Sequence, residues 1–218
     1  MELSIKHLYV VMGWVLWCTL HSLLISVTVT EYLEKRLGPG FRFHRLFYSI
    51  FSLATLLPLV YYADAIRPAP FFRWDGHLAV VRWAIILTAG YLVIAGGRHY
   101  SLSELLGIRQ LRAAGTGAAS SADDRFAVSG IHGAVRHPWY LAGIMIVWAQ
   151  DLSLFTILNN IVISAYFIIG SFLEERKMVR RFGEKYRAYQ RTVPMLVPFP
   201  WLKIRAEGGC VTKNSPLF

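Results

Sequence analysis

Acidic residues are scarce in this chain: 13 Asp and Glu stand against 23 Lys and Arg in 218 residues, a formal net charge of +10. Charged residues of both signs make up only 17%, whereas 55% are hydrophobic and the mean hydropathy is +0.43. A soluble domain of this length carries more charge and less apolar surface, so an ordinary soluble fold is excluded. Cysteine is nearly absent. Cys18 falls in an apolar run and Cys210 in a polar tail, so neither a disulfide framework nor a thiolate metal site can be read from them. No nucleic-acid-binding motif accompanies the basic balance, and a high isoelectric point alone is a weak argument for one. The first apolar run is too long for a signal-peptide core and no small-x-small cleavage site follows it. Leu16-Trp17-Cys18 makes a poor lipoprotein box, because bulky Trp17 precedes the cysteine.

What the chain has instead is apolar blocks. Five are legible: Leu8 to Val29, Phe47 to Ala63, Leu78 to Gly96, Trp139 to Ala149 and Leu152 to Leu173. A membrane span needs about 20 apolar residues to cross a core of about 30 Å. The fourth block is too short for that and reads as a half-length or tilted helix paired with the fifth through Gln150-Asp151. The expected fold class is therefore all-α, a polytopic bundle of about five transmembrane helices with a C-terminal amphipathic helix. Residues 30–46, 97–138 and the C-terminal tail hold 19 of the 23 Lys and Arg. This asymmetry places those segments, and the C-terminus, on the cytoplasmic side of what reads as a bacterial inner membrane. It also explains the positive charge through anionic lipid headgroups rather than nucleic acid. The oligomeric state is not legible.

Along the chain, residues 1–218 read as a single membrane domain. A three-span part covers 1–97, a cytoplasmic loop 98–135, a helical hairpin with its C-terminal helix 136–200, and a flexible tail 203–218. Gly38-Pro39-Gly40 is expected to turn between the first two spans. Ala113 to Asp124 has the composition of a flexible surface segment, either a gating loop or a tolerated insertion. Order is expected to resume at Phe126, with Val128, Ile131 and Val135 available to bury. Past the fifth block, Glu174 to Arg191 is expected to continue as one helix. Met178, Phe182, Tyr186, Tyr189 and Val193 share its apolar face, and it stops before Pro194. Pro198 and Pro200 force an extended exit.

Ionisable and aromatic residues gather at the ends of the last two apolar blocks. Arg136-His137-Pro138-Trp139-Tyr140 stands at one boundary, with Pro138 suited to a first helical turn. Backbone N–H groups there favour an anion, and Arg136 adds a charged fork. Tyr140 supplies a ring and a hydroxyl, and Gly143 permits close approach of a helix or a ligand. Glu174 and Glu175 lie at the end of the following block, which an antiparallel hairpin returns to Arg136 and His137. Arg, His, Trp and Tyr also favour the headgroup zone, so composition alone leaves an interface anchor as the alternative. Ionisable groups at membrane depth are nonetheless functional candidates by default.

Arg136-His137-Pro138-x-Tyr140-x-x-Gly143, then Glu174-Glu175, then Phe182-Gly183-x-x-Tyr186-x-x-Tyr189 and Val193-Pro194 resembles the isoprenylcysteine carboxyl methyltransferase family, which is grouped with phospholipid methyltransferases. The match covers about residues 128–200. The resemblance implies an integral membrane methyltransferase with S-adenosylmethionine as donor, bound on the cytoplasmic side, and a lipid-facing path for a lipophilic or small apolar acceptor. It places His137, Pro138, Tyr140, Gly143, Tyr186, Tyr189 and His132 around the donor. Glu174, Glu175 and Arg136 fall at the reaction centre, and no metal is called for. Such a site mainly needs alignment and water exclusion, because the donor is already activated.

The chain also departs from that pattern. Prenylcysteine-processing members carry an Arg a few residues before the paired glutamates, where this chain has Ile168-Ile169-Gly170-Ser171. His132 replaces a common aromatic residue, and Met195 replaces the Arg after Val-Pro. The missing Arg weighs against a prenylcysteine-like carboxylate acceptor and toward a thiol, an amine or a neutral lipid. His21 lies deep in the first block, where a neighbouring Ser, Thr or carbonyl would ordinarily satisfy it; lining an acceptor path or ligating haem are the alternatives. The layout is also similar to that of NnrU-type proteins. That similarity keeps open a non-methylating alternative, haem-linked or lipid-binding, with His21 and His99 as candidate axial ligands.

Overall fold

The computed structural model describes residues 4–98, 128 and 130–197. Those residues form a helical bundle without strands, apart from an isolated antiparallel bridge between Phe72 and Leu152. Four stretches are long and apolar enough to cross a membrane: Ile5–Leu24, Val27–Ala65, His77–Gly97 and Leu154–Phe182. Large apolar side chains stand outward along them, among them Val80, Leu87 and Ile94, as a lipid-facing surface requires.

The first apolar block does not stay one helix. Helix α1 covers Ile5–Leu24, and Ser26 opens a second helix, α2 (Val27–Leu37), by accepting from the Val29 N–H at 3.3 Å. A serine at that position caps a new helix start, so the span ends at Leu24 rather than Val29. Gly38, at φ +48°, then leads into a 3-10 helix over Gly38–Phe43 in place of a simple turn. Helix α3 (His44–Ala65) and α4 (His77–Gly97) follow.

Helix α5 (Pro138–Trp148) has 11 residues, about half the membrane thickness at 1.5 Å per residue. It packs against α4 and α6 (Leu154–Phe182). Among the described residues the bundle thus has four long apolar stretches and one short apolar helix, as the short fourth block predicts. Ala89, Leu92 and Ala142 form the α4–α5 core, with Ile131 packed on it. Val135 is buried as expected, whereas Val128 is exposed. His99, Ala113 to Asp124, Phe126, Pro198, Pro200, Cys210 and the tail beyond Lys203 lie outside the described residues.

The two ends of the bundle differ in chemistry. At one, the 66–76 segment clasps the α5–α6 turn: Trp74 Nε1 donates to the Gln150 carbonyl at 3.0 Å and Trp74 N to Asp151 Oδ1 at 3.1 Å. His7 Nε2 meets the Ile66 carbonyl there at 3.1 Å, so the start of α1 shares this end. At the other end, Lys177 Nζ reaches the Ile25 carbonyl at 3.4 Å, and Arg136 meets the far part of α6.

The C-terminal helix is not continuous. Gly183, at φ +59°, ends α6, and α7 (Glu184–Thr192) starts in a new direction. Residues other than glycine pay roughly 1–2 kcal/mol for that conformation. The expected apolar stripe survives the break as a packed cluster: Tyr186, Tyr189 and Val193 on one side, Met178, Val179 and Phe182 on the other. Helix α7 therefore folds back on α6 instead of prolonging it.

Candidate functional site

Pro138 opens α5 at its first turn, as its sequence position predicts, and this leaves Arg136 and His137 on the short stretch leading in. That stretch is held by main-chain pairing. The Arg136 N–H donates to the Pro194 carbonyl at 3.0 Å and the His137 N–H to the Met195 carbonyl at 3.1 Å. The segment after α7 is thus bound alongside the residues that precede α5.

Glu175 is the centre of the side-chain network. Arg136 Nε donates to Glu175 Oε1 at 2.6 Å and Nη2 to Oε2 at 3.1 Å, a two-pronged contact. Gln190 Nε2 donates to Oε2 at 2.6 Å, and His137 Nε2 lies 3.1 Å from Oε1. The remaining Arg136 nitrogen, Nη1, donates to the Gln190 and Val193 carbonyls. Such a buried charge pair persists only when its other lone pairs and protons also find partners, and here four of the five guanidinium N–H groups donate to Glu175, Gln190 and Val193. Glu175 therefore joins α5, α6 and α7 at one point.

Glu174 is placed differently. Its side chain is 42% exposed against 7% for Glu175, and its Oε2 lies 3.7 Å from His137 Nδ1. The His137 ring stands between the two carboxylates. It also stacks on Tyr140, with centroids 5.4 Å apart and planes 5° from parallel. Tyr140 in turn stacks on Phe167 at 5.6 Å. Two stacked ring pairs thus stand beside a partly exposed carboxylate.

Gly143 serves helix packing: a Cβ there would lie 2.6 Å from the Phe167 ring. Gly96 plays the same part against Trp139, whose Nε1 donates to the Val93 carbonyl at 3.0 Å. Tyr189 donates its hydroxyl to the His132 carbonyl at 2.6 Å, tying α7 to the 3-10 helix Gly130–Gly133. His132 Nδ1 lies 3.4 Å from the Arg136 carbonyl. Tyr186 is buried beside Tyr189; burial, and then the charge on Glu175, push its phenol well above the ordinary tyrosine range, so it stays neutral. A shallow open cleft of about 330 Å³, lined by Phe172, Glu175, Arg176, Val179, Arg180 and Gln190, lies on the outer side of Glu175.

The structure thus brings Arg136, His137, Tyr140, Glu174 and Glu175 into one constellation. Pro138, Gly143, Tyr186, Tyr189 and His132 lie in the packing around it. Gln190, Phe167 and the carbonyls of Val193, Pro194 and Met195 were not legible as members. Gln190 had one signal: it lies four residues after Tyr186 and one turn of α7 carries both inward.

His21 shows why an intramembrane histidine need not bind iron. Its Nδ1 lies 3.1 Å from Ser52 Oγ and its Nε2 lies 2.6 Å from the Tyr48 hydroxyl, so both ring nitrogens are engaged. Among the described residues, no group of three or more His, Cys, Asp or Glu side chains could hold a metal ion.

Several curated proteins are similar to the chain. A protein named methanethiol S-methyltransferase from Pseudomonas deceptionensis is 35% identical over 117 residues, 53% of this chain and 42% of that protein. Methanethiol S-methyltransferase 1 of Bradyrhizobium diazoefficiens is 30% identical over 163 residues, 70% of this chain and 53% of that protein. A methanethiol S-methyltransferase from Mycobacterium tuberculosis is 29% identical over 145 residues, 62% of this chain and 56% of that protein. The chain spans about half the length of the curated relatives it matches. No solved structure matches it. These likenesses agree with the grouping that the Arg136-His137-Pro138 motif resembles, the integral membrane isoprenylcysteine carboxyl methyltransferase-like proteins. The family model described as NnrU protein matches residues 9–204, and the chain belongs to that family.

Proposed function

We propose that this protein is an integral membrane methyltransferase that uses S-adenosylmethionine to methylate a small apolar thiol. One observation carries the reading: the buried Arg136–Glu175 pair fixes the stacked His137 and Tyr140 rings beside the partly exposed Glu174 carboxylate. Ring faces and a carboxylate are what a cationic sulfonium needs for attraction and orientation. His137, Tyr140 and Glu174 would hold that end of the donor. When bound, the donor supplies an activated methyl group.

The chain's own residues do the positioning. Arg136 and Glu175 neutralise one another and clamp the entrance of α5, so the rings do not drift. Tyr189 and Tyr186 fasten α7 over the same corner. Close packing at Gly96 and Gly143 keeps water from the α4–α5–α6 junctions. The acceptor side lacks a cation in the stretch Ile168 to Ser171, and Ser171 Oγ is spent on the Phe167 carbonyl at 2.9 Å. An acceptor carboxylate would find no partner there, whereas a neutral thiol needs none. The names of the relatives support a thiol. Arg136 and the basic end of α6 share one end of the bundle, which supports a cytoplasmic donor side in the bacterial inner membrane.

Binding of S-adenosylhomocysteine to the purified protein, followed by calorimetry together with the visible spectrum, tests the reading. Micromolar binding that His137→Ala weakens at least tenfold, without a Soret band, supports it. A Soret band abolished by His21→Ala, with no binding of the analogue, overturns it.

A further inference from the structure

Methylating a thiol releases a proton, and both carboxylates of the constellation described above already have partners. Glu175 already accepts from Arg136, Gln190 and His137. Glu174 faces His137 and is partly in solvent. A second polar cluster lies within the bundle at the same end. The Tyr48 hydroxyl is 2.6 Å from His21 Nε2, and His21 Nδ1 is 3.1 Å from Ser52 Oγ. Trp17 stacks on the His21 ring at 4.7 Å, with planes 23° apart.

This cluster joins the site through a run of rings. His21 meets Tyr166 at 6.0 Å, Tyr166 meets Phe167 at 5.6 Å, and Phe167 stacks on Tyr140 at 5.6 Å. The Tyr140 phenol also lies within electrostatic reach of Glu174, Tyr166 and Tyr48. A small cleft of about 40 Å³ between α1 and α3 borders the cluster, lined by Trp17, Leu20, His21, Phe51, Ser52 and Thr55. Since α1 and α3 belong to membrane-spanning stretches, the cleft admits an apolar molecule and not an ionised one.

We propose that Tyr48 and His21 form the proton-accepting side of the reaction, receiving a small neutral thiol that enters between α1 and α3. This rests on the thiol-methyltransferase reading above. As the acceptor sulfur forms its bond to the methyl carbon, the bond from that carbon to the donor sulfur breaks. The S–H proton passes to Tyr48 Oη while the phenol proton passes to His21 Nε2. The ring becomes an imidazolium that donates from Nδ1 to Ser52 Oγ. The positive charge lost by the donor sulfur reappears on His21, so the interior keeps its net charge. The stacked Trp17 face stabilises that cation.

The test uses the full-length protein in lipid nanodiscs with two acceptors that both enter as neutral thiols: ethanethiol, and the far more acidic thiophenol, whose S–H proton leaves with little help from a base. Tyr48→Phe and His21→Ala are expected to slow methylation of ethanethiol about a hundredfold, within the usual range for a lost proton acceptor. They are expected to slow thiophenol less than tenfold and to leave S-adenosylhomocysteine affinity within twofold. Tyr48→Phe keeps the ring, and retained analogue binding shows that it is folded. An equal loss for both thiols, or no loss for either, overturns the inference and leaves the methyltransferase reading standing. If the unmodified protein binds the analogue and methylates neither thiol, the thiol reading fails and this inference falls with it.

Discussion

Arg136 and Glu175, 39 residues apart in the chain, meet through two nitrogen–oxygen contacts of 2.6 and 3.1 Å, with side chains 9% and 7% exposed. This pair explains how a proline-led half-length helix, a long apolar helix and a short basic one come to share a corner. Each of the three contributes a partner to the same carboxylate or guanidinium.

Removing one partner of that pair leaves an uncompensated buried charge. Glu175→Ala and Arg136→Ala are each expected to lose about 3–5 kcal/mol of stability, measured by denaturant unfolding in detergent. Glu175→Gln retains one acceptor oxygen and is expected to fall between these and the parent. The double variant Arg136→Ala/Glu175→Ala should lose less than the sum of the singles.

Tyr189→Phe deletes a single hydroxyl. It leaves the His132 carbonyl without that donor, at a cost of about 1–3 kcal/mol. Because this bond ties α7 to the segment before Arg136, analogue binding is also expected to weaken, while Thr192→Ala on the exposed side of α7 should leave it unchanged.

Gly143→Ala places a methyl group 2.6 Å from the Phe167 ring. Overpacking of that kind costs about 1–3 kcal/mol. Phe167→Leu in the same chain is expected to restore part of the loss, which thermal unfolding of the single and double variants measures.

Gly183→Ala forces a side chain into a left-handed backbone conformation with open space around it. Roughly 1–2 kcal/mol is expected to be lost at the α6–α7 junction, detected as faster hydrogen exchange over residues 184–192.

Much of this arrangement is legible in the sequence because it depends on local features. Apolar length located α3, α4 and α6, Pro138 located the start of α5, and the Arg136–Tyr140 and Glu174–Glu175 segments located the site. The features that were not legible depend on competition or on contacts far apart in the chain. Ser26 breaks an apolar run that hydropathy alone extends to Val29. Gly183 redirects a stripe that a continuous helix also satisfies. The different fates of the two adjacent glutamates follow from which face of α6 meets Arg136, a matter of packing that no spacing reveals. His21 is expected to find a neighbouring Ser, Thr or carbonyl, and only the approach of α3 shows that Ser52 and Tyr48 are the partners.

Transfer of a labelled methyl group from S-adenosylmethionine to methanethiol by the purified protein tests the central claim most directly. Saturable formation of dimethyl sulfide, lost in His137→Ala and retained in Thr192→Ala, is the predicted result. Absence of dimethyl sulfide, with the label appearing in prenylcysteine carboxylates or membrane lipids or nowhere, would contradict it.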